Sequence, residues 1–120
     1  MSVTAIILCR YNSSRLRGKH FKKIGDKYLI NHTIDHLKKI KFINEIYIAT
    51  GKKSKNYIFK KKLKSINKNL KFYFHKNEDK VVERIYCISK KIKNKKILII
   101  SGDCPIIDNI FLKNIYSKFN

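Results

Sequence analysis

Two hydrophobic periods alternate along this chain. Ala5-Ile-Ile-Leu-Cys-Arg10 opens with a short apolar run that has the length and β-branched content of a buried strand. A polar stretch follows, and then Leu29 to Ile40 carries apolar residues at 29, 30, 34, 37 and 40, the spacing of one helical face. Asn31 and His32 near its start would cap the first turn or simply be tolerated there. The pattern repeats. Glu45–Thr50 reads as a second strand closed by Gly51, and Lys52 to Asn67 as a very basic helix with Tyr57, Ile58, Leu63 and Ile66 as its sparse inner face. Leu70–His75 is a third strand, and Lys80 to Ile92 a helix with Val81, Val82, Ile85, Ile88 and Ile92 on its apolar side. Ile97-Leu-Ile-Ile100, the most apolar strand, is expected at the centre of a sheet, and Ile106 to Phe119 supplies a last helix.

Strand, loop and helix in fourfold succession predict right-handed βαβ crossovers and a parallel sheet. Phe21 to Lys27 reads as a short connection with a Gly25-Asp26 turn. Nothing Pro/Gly-rich interrupts the alternation, so residues 1–120 are read as a single α/β domain. In such sheets ligands bind beyond the carboxyl ends of the strands, which singles out loops 10–19, 50–54, 75–79 and 101–105.

Charge adds a question. Twenty-nine Lys and Arg against eight Asp and Glu give a net charge of +21, which invites a nucleic-acid reading. The excess is mostly Lys spread along the chain, and the aromatics occupy core-like positions instead of interleaving with Arg, so specific nucleic-acid binding is disfavoured. The same charge steers anionic nucleotides and acidic sugars. No apolar run reaches the roughly 20 residues of a membrane span, and the start of the chain lacks the pattern of a signal peptide; a cytoplasmic location is the expectation. Cys9, Cys87 and Cys104 have neither knuckle nor CxxC spacing. His20, His32, His36 and His75 offer no defensible ligand pair.

Two loops hold the chemistry. Tyr11-Asn-Ser-Ser-Arg15-Leu-Arg-Gly18-Lys19, with Arg10 before it, offers cations, hydroxyls and a glycine at the carboxyl end of a buried strand. That set suits a polyphosphate cradle, the alternative being a solvated basic loop. Ser101-Gly-Asp103-Cys-Pro105 places a scarce carboxylate directly after the fourth strand. Asp103 there could hold Mg²⁺ against a polyphosphate or serve as a turn residue bonding its own backbone. Lys60-Lys61-Lys62 reads as a solvated surface.

Arg10-Tyr-Asn-Ser-Ser-Arg15-Leu-Arg-Gly-Lys19 resembles the ARxxSSRLPGK signature of the cytidylyltransferases that activate acidic sugars, closest to the spore coat polysaccharide biosynthesis protein F group. The 3-deoxy-manno-octulosonate and acylneuraminate cytidylyltransferases are similar. Ile24-Gly-Asp-Lys-Tyr-Leu-Ile resembles their entry to the first long helix, and Glu45-Ile-Tyr-Ile-Ala-Thr50 their "eivvAT" strand. Asn77-Glu-Asp79-Lys-Val-Val-Glu-Arg84 resembles "eeDvldR", and Ser101-Gly-Asp-Cys-Pro-Ile-Ile-Asp108 resembles "tGDcPliD".

The resemblance implies a Rossmann-like nucleotide-diphospho-sugar transferase fold, with sheet order 3-2-1-4 and helices on both faces. It also implies transfer of CMP from CTP to an acidic sugar for surface polysaccharide synthesis. Carried over by position, Cys9, Arg10, Ser13, Ser14, Arg15, Gly18, Lys19 and Gly102 would meet the nucleotide, with Arg15 and Lys19 as catalytic cations and Asp103 as the Mg²⁺ ligand. Arg84 would contact the nucleotide or form a surface salt bridge. Arg17 departs from the pattern by replacing a proline, and Lys52 and Lys53 stand where relatives have acidic or polar residues. Because the resemblance covers an amino-terminal half, the expectation includes a homodimer or a second-half partner. Two alternatives stay open, a catalytically incomplete nucleotide-binding half and a basic nucleic-acid-binding protein.

Overall fold

In the computed structural model, which describes residues 2–12, 16–102 and 109–118, four parallel strands form the main sheet. They are β1 (Val3–Leu8), β4 (Ile43–Thr50), β5 (Lys71–Phe74) and β6 (Lys96–Ser101), in spatial order β5-β4-β1-β6. This is the predicted order, third strand outermost and first strand beside the fourth. Ala5 lies opposite Ile46 on one side and Leu98 on the other.

β1 is the central strand. Its alternate side chains enter two cores: Val3, Ala5, Ile7 and Cys9 face α1 (Leu29–Lys38) and α2 (Lys53–Leu63), while Ile6 faces α3 (Val81–Ser89). Each fully buried isoleucine contributes roughly 1.5–3 kcal/mol relative to exposure. The last helix, α4 (Asn109–Lys118), adds Leu112 to the first core. Helices thus cover both faces, as predicted. Thr4, buried in β1, is satisfied by the Glu45 carboxylate and the Asn94 amide.

Several expectations need correction. The fourth strand is not central: among the described residues β6 pairs only with β1, and Ile99 is 44% exposed. Hydrophobicity there reflects contact with one neighbour and both cores, not a position between two strands. The helix faces are also rotated from the prediction. On α2 the buried side chains are Asn56, Phe59 and Leu63, with Tyr57 exposed, and Ile66 lies exposed beyond the helix end; on α3 they are Arg84 and Ile88, with Val82 81% exposed. In both helices a polar group with specific partners took an inward position that counting apolar residues alone assigns elsewhere.

The connection after the first loop is more structured than predicted. A single 3-10 turn over Lys19–Phe21 leads into a two-stranded hairpin, β2 (Lys23–Ile24) and β3 (Lys27–Tyr28), around Gly25-Asp26. Neither Asn31 nor His32 caps α1; its N-cap is Tyr28, and the His32 ring bonds the Ile24 carbonyl at 2.9 Å. Lys62 is no plain solvated lysine either, since its ammonium stands 5.2 Å from the Phe21 ring centre and 5.4 Å from that of Tyr28.

Candidate functional site

Parallel pairing brings the ends of β1 and β6 level, Leu8 opposite Ser101. Beyond them, the Cys9 N–H donates to the Ala49 carbonyl at 3.2 Å and the Gly102 N–H to the Leu8 carbonyl at 2.9 Å. The two chains therefore leave the sheet together. Gly102 is required by space: a Cβ there would lie 2.9 Å from the His20 ring and 3.0 Å from the Cys9 Cβ. The first loop is folded back by Gly18, whose left-handed φ of 69° favours glycine and whose N–H donates to the Tyr11 carbonyl at 2.9 Å. The following turn is anchored by rings, His20 edge-on to Phe59 at 5.6 Å and Phe21 against Phe59 at 5.1 Å.

Between these segments lies a cavity of about 170 Å³ whose walls include Cys9, Arg10, Lys19, His20, Arg84 and Ser101. Its electrostatics are set by two arginines in opposite surroundings. Arg84, on α3, is 2% exposed and donates to the Glu78 carbonyl at 2.9 Å and more loosely to that of Ala49 at 3.5 Å. Its Nε has no hydrogen-bond partner, and among the described residues no carboxylate lies within ion-pair distance of it. Burial pulls its pKa below the ordinary arginine value, yet a guanidinium stays protonated at neutral pH. Arg10, at the rim, is paired with the exposed Asp79 carboxylate at 2.5 Å. Burial also pushes the Cys9 thiol far above its ordinary range, outweighing the opposing pull of Arg84. Cys9 is a neutral wall residue, not a nucleophile.

A buried cation with no carboxylate in ion-pair contact among the described residues is costly, although the Glu78 and Asp79 carboxylates act on it from farther away. Its presence in a basic cavity at the carboxyl edge of a parallel sheet fits an anionic ligand. A roomier hollow of about 300 Å³ at the amino ends of β1 and β6 is lined by Val3, Phe42, Leu98, Leu112 and Tyr116, and its largely hydrocarbon walls offer no such chemistry.

Of the site residues expected from the sequence, Cys9, Arg10, Lys19 and Arg84 line this one cavity, with Gly18 and Gly102 shaping its edges. The surface salt bridge considered for Arg84 is ruled out by its burial. Ser13, Ser14, Arg15 and Asp103 lie outside the described residues. Among the described residues no group of three or more His, Cys, Asp or Glu side chains is placed to hold a metal ion, and no helix is long and apolar enough to cross a membrane.

Sequence reasoning missed His20 and Asn56. The first follows the lysine of the signature and was weighed only as a metal ligand. Asn56 sits in a run of lysines, where its one signal is position: it lies three residues before Phe59 and seven before Leu63, on the buried stripe.

The cytidylyltransferase family profile matches residues 4–120. The chain belongs to the cytidylyltransferase family. Among its relatives, an uncharacterised protein of Methanocaldococcus jannaschii is 31% identical over 106 residues, covering 88% of this chain and 42% of that protein. The 8-amino-3,8-dideoxy-manno-octulosonate cytidylyltransferase of Shewanella pealeana is 29% identical over 120 residues, covering 98% and 47%. A solved cytidylyltransferase from Leptospira borgpetersenii is 27% identical with a TM-score of 0.80, covering 99% of this chain and 49% of that one. A CMP:2-keto-3-deoxy-manno-octonic acid synthetase structure complexed with CTP superposes with a TM-score of 0.85 at 19% identity, a likeness of fold. The cytidylyltransferase chain described here thus spans less than half the length of these relatives.

Proposed function

We propose that this chain forms the nucleotide-binding part of an enzyme that transfers CMP from CTP to an acidic sugar, for surface polysaccharide synthesis in the cytoplasm. The observation that carries the reading is Arg84, a buried guanidinium facing the cavity shared by Arg10 and Lys19, whose Nε has no hydrogen-bond partner and which has no carboxylate in ion-pair contact among the described residues. The triphosphate is the anion that completes it. Arg10, Ser13, Ser14, Arg15 and Lys19 bind the phosphates from the first loop, Arg15 and Lys19 neutralising charge as it builds during transfer, while Arg84 meets the nucleotide from α3. Cys9, Gly18 and Gly102 leave room for the chain and ligand to approach closely.

The reaction is substitution at the α-phosphorus. The sugar hydroxyl oxygen forms the new P–O bond and gives up its proton to solvent, the bond to the pyrophosphate oxygen breaks, and pyrophosphate leaves with the electron pair. Such a step depends on positioning and charge neutralisation, which the cationic walls supply. Magnesium suits the donor chemistry, because this small hard cation is held through one or two carboxylates plus substrate phosphates; Asp103, which follows Gly102 in the sequence, is the carboxylate proposed. When bound, the ion would withdraw charge from the phosphate oxygens.

A second reading, a nucleotide-binding half that needs a second-half or like partner for turnover, is favoured by the coverage of less than half of each relative. Isothermal titration with CTP and Mg²⁺, followed by a pyrophosphate-release assay with acidic sugars, separates the two. Binding with release supports the enzyme, binding without release supports the half-site, and no binding sinks both. DNA or RNA retention unaffected by Asp103→Ala or added CTP would instead favour a nucleic-acid role.

A further inference from the structure

Asn56 is completely buried on α2, yet it carries three hydrogen bonds, one to the start of its own helix and two to separate segments. Its Oδ1 accepts from the Tyr11 N–H at 2.9 Å, at the root of the phosphate loop. Its Nδ2 donates to the Lys52 carbonyl at 2.9 Å and to Glu78 Oε1 at 2.8 Å. One donor faces the oxygen and two acceptors face the nitrogen, so the amide orientation is fixed by its partners. Glu78 Oε1 also accepts from the Lys52 N–H at 3.0 Å, and the Glu78 carbonyl accepts from Arg84. A continuous set of hydrogen bonds therefore runs from the loop of Arg10 and Lys19, through Asn56 and Glu78, to Arg84 on the opposite wall.

Gly51 belongs to the same device. A Cβ at this position would lie 1.9 Å from Glu78 Oε1 and 2.8 Å from its Cδ. The glycine closing β4 is thus the space into which the Glu78 side chain folds to reach Asn56.

We infer that Asn56 is a positioning residue, which together with Glu78 and Gly51 fixes the spacing of the two cationic walls so that one polyanion can engage both. This rests on the nucleotide reading above. The physical reason is preorganisation: cations held at the spacing of the ligand need no reordering on binding, and a satisfied buried amide resists displacement.

The test uses the 120-residue chain, with inorganic tripolyphosphate and CTP titrated separately in Mg²⁺ and thermal melts alongside. Asn56→Ala and Glu78→Ala should each weaken tripolyphosphate about tenfold, and the double variant no more than the worse single one, since both cut one connection. Gly51→Ala, which expels Glu78 without removing a hydrogen-bonding group, should reproduce the loss. Glu78→Gln keeps the acceptor, and its nitrogen replaces Oε2, which has no hydrogen-bond partner to lose; affinity should return to within about twofold of the parent. Amide exchange at Tyr11 should quicken in Asn56→Ala and stay slow in Glu78→Gln.

Unchanged tripolyphosphate affinity in folded Asn56→Ala and Gly51→Ala overturns the inference, as does a Glu78→Gln variant as weak as Glu78→Ala. If the parent binds CTP no better than tripolyphosphate, the nucleotide reading fails while the tripolyphosphate series still decides the coupling. A parent that binds neither ends both.

Discussion

The two walls of the cavity present the same functional group in opposite settings. Arg10 sits on the rim, 37% exposed at its side chain, with Asp79 as counter-ion; Arg84 sits inside, 2% exposed, with carbonyl partners and, among the described residues, no carboxylate in ion-pair contact. A rim pair is screened by water and salt and contributes little to stability. An interior guanidinium bonded to neutral carbonyls stays charged where water and salt screen it less. On the proposed function the difference gives the walls separate roles: the inner one would bind at some expense of stability, and the outer one would exchange, Arg10 leaving Asp79 for a phosphate.

The strongest way to break this comparison is Arg84→Met. It removes the buried charge and keeps apolar bulk, so CTP affinity should fall about 100-fold, roughly 2.7 kcal/mol, as expected for deleting one side of a buried charged contact. The melting temperature should change little, because the cost of burying a charge is removed together with its two carbonyl hydrogen bonds. Calorimetry with a thermal melt checks both, and a large drop in stability would mean that Arg84 is structural.

Arg10→Ala comes next. Affinity should drop about tenfold at low salt and less at 0.5 M salt (roughly a 4 Å screening length), while stability changes by no more than about 0.5 kcal/mol. An effect independent of salt would place Arg10 with the inner wall.

Cys9 reports how dry the Arg84 side is. Its thiol is raised in the folded state against about 8.5 when unfolded, so the native state keeps a proton that the unfolded chain releases. The associated stability is complete below about pH 8.5 and declines as pH rises toward the folded value, by at most about 1.4 kcal/mol per pH unit. Urea unfolding at pH 7.5 and 9.5 should show the parent losing about 1 kcal/mol more than Cys9→Ala. Equal losses would mean a wet inner wall.

The smallest effect is expected from Asp79→Asn. Releasing Arg10 should raise CTP affinity two- to threefold at low salt, with the melting temperature unchanged within about 1–2 °C, because an exposed pair adds little. Weaker binding would show that Asp79 positions Arg10 for the ligand instead of competing with it.

Much of this molecule was legible in one dimension. Periodicity 2 against 3.6 gave the four strand–helix units, because burying one face imposes that spacing locally. The placement of Arg10, Lys19 and Gly102 beyond strand ends followed from the same units, and the signature residues pointed to the cytidylyltransferase family. Ser13, Ser14, Arg15 and Asp103 remain assignments from the motif.

Tertiary structure decided the rest. Two similarly apolar strands, β1 and β6, became centre and edge because pairing partners come from distant segments, which hydrophobicity does not specify. Val82 turned outward and Arg84 inward because the carbonyls of Ala49 and Glu78, from another strand and loop, receive the guanidinium. Asn56 looked like one polar residue among lysines until the Tyr11 amide and the Glu78 carboxylate converged on it. A buried polar side chain is selected by its partners, and those are named only once the chain has folded.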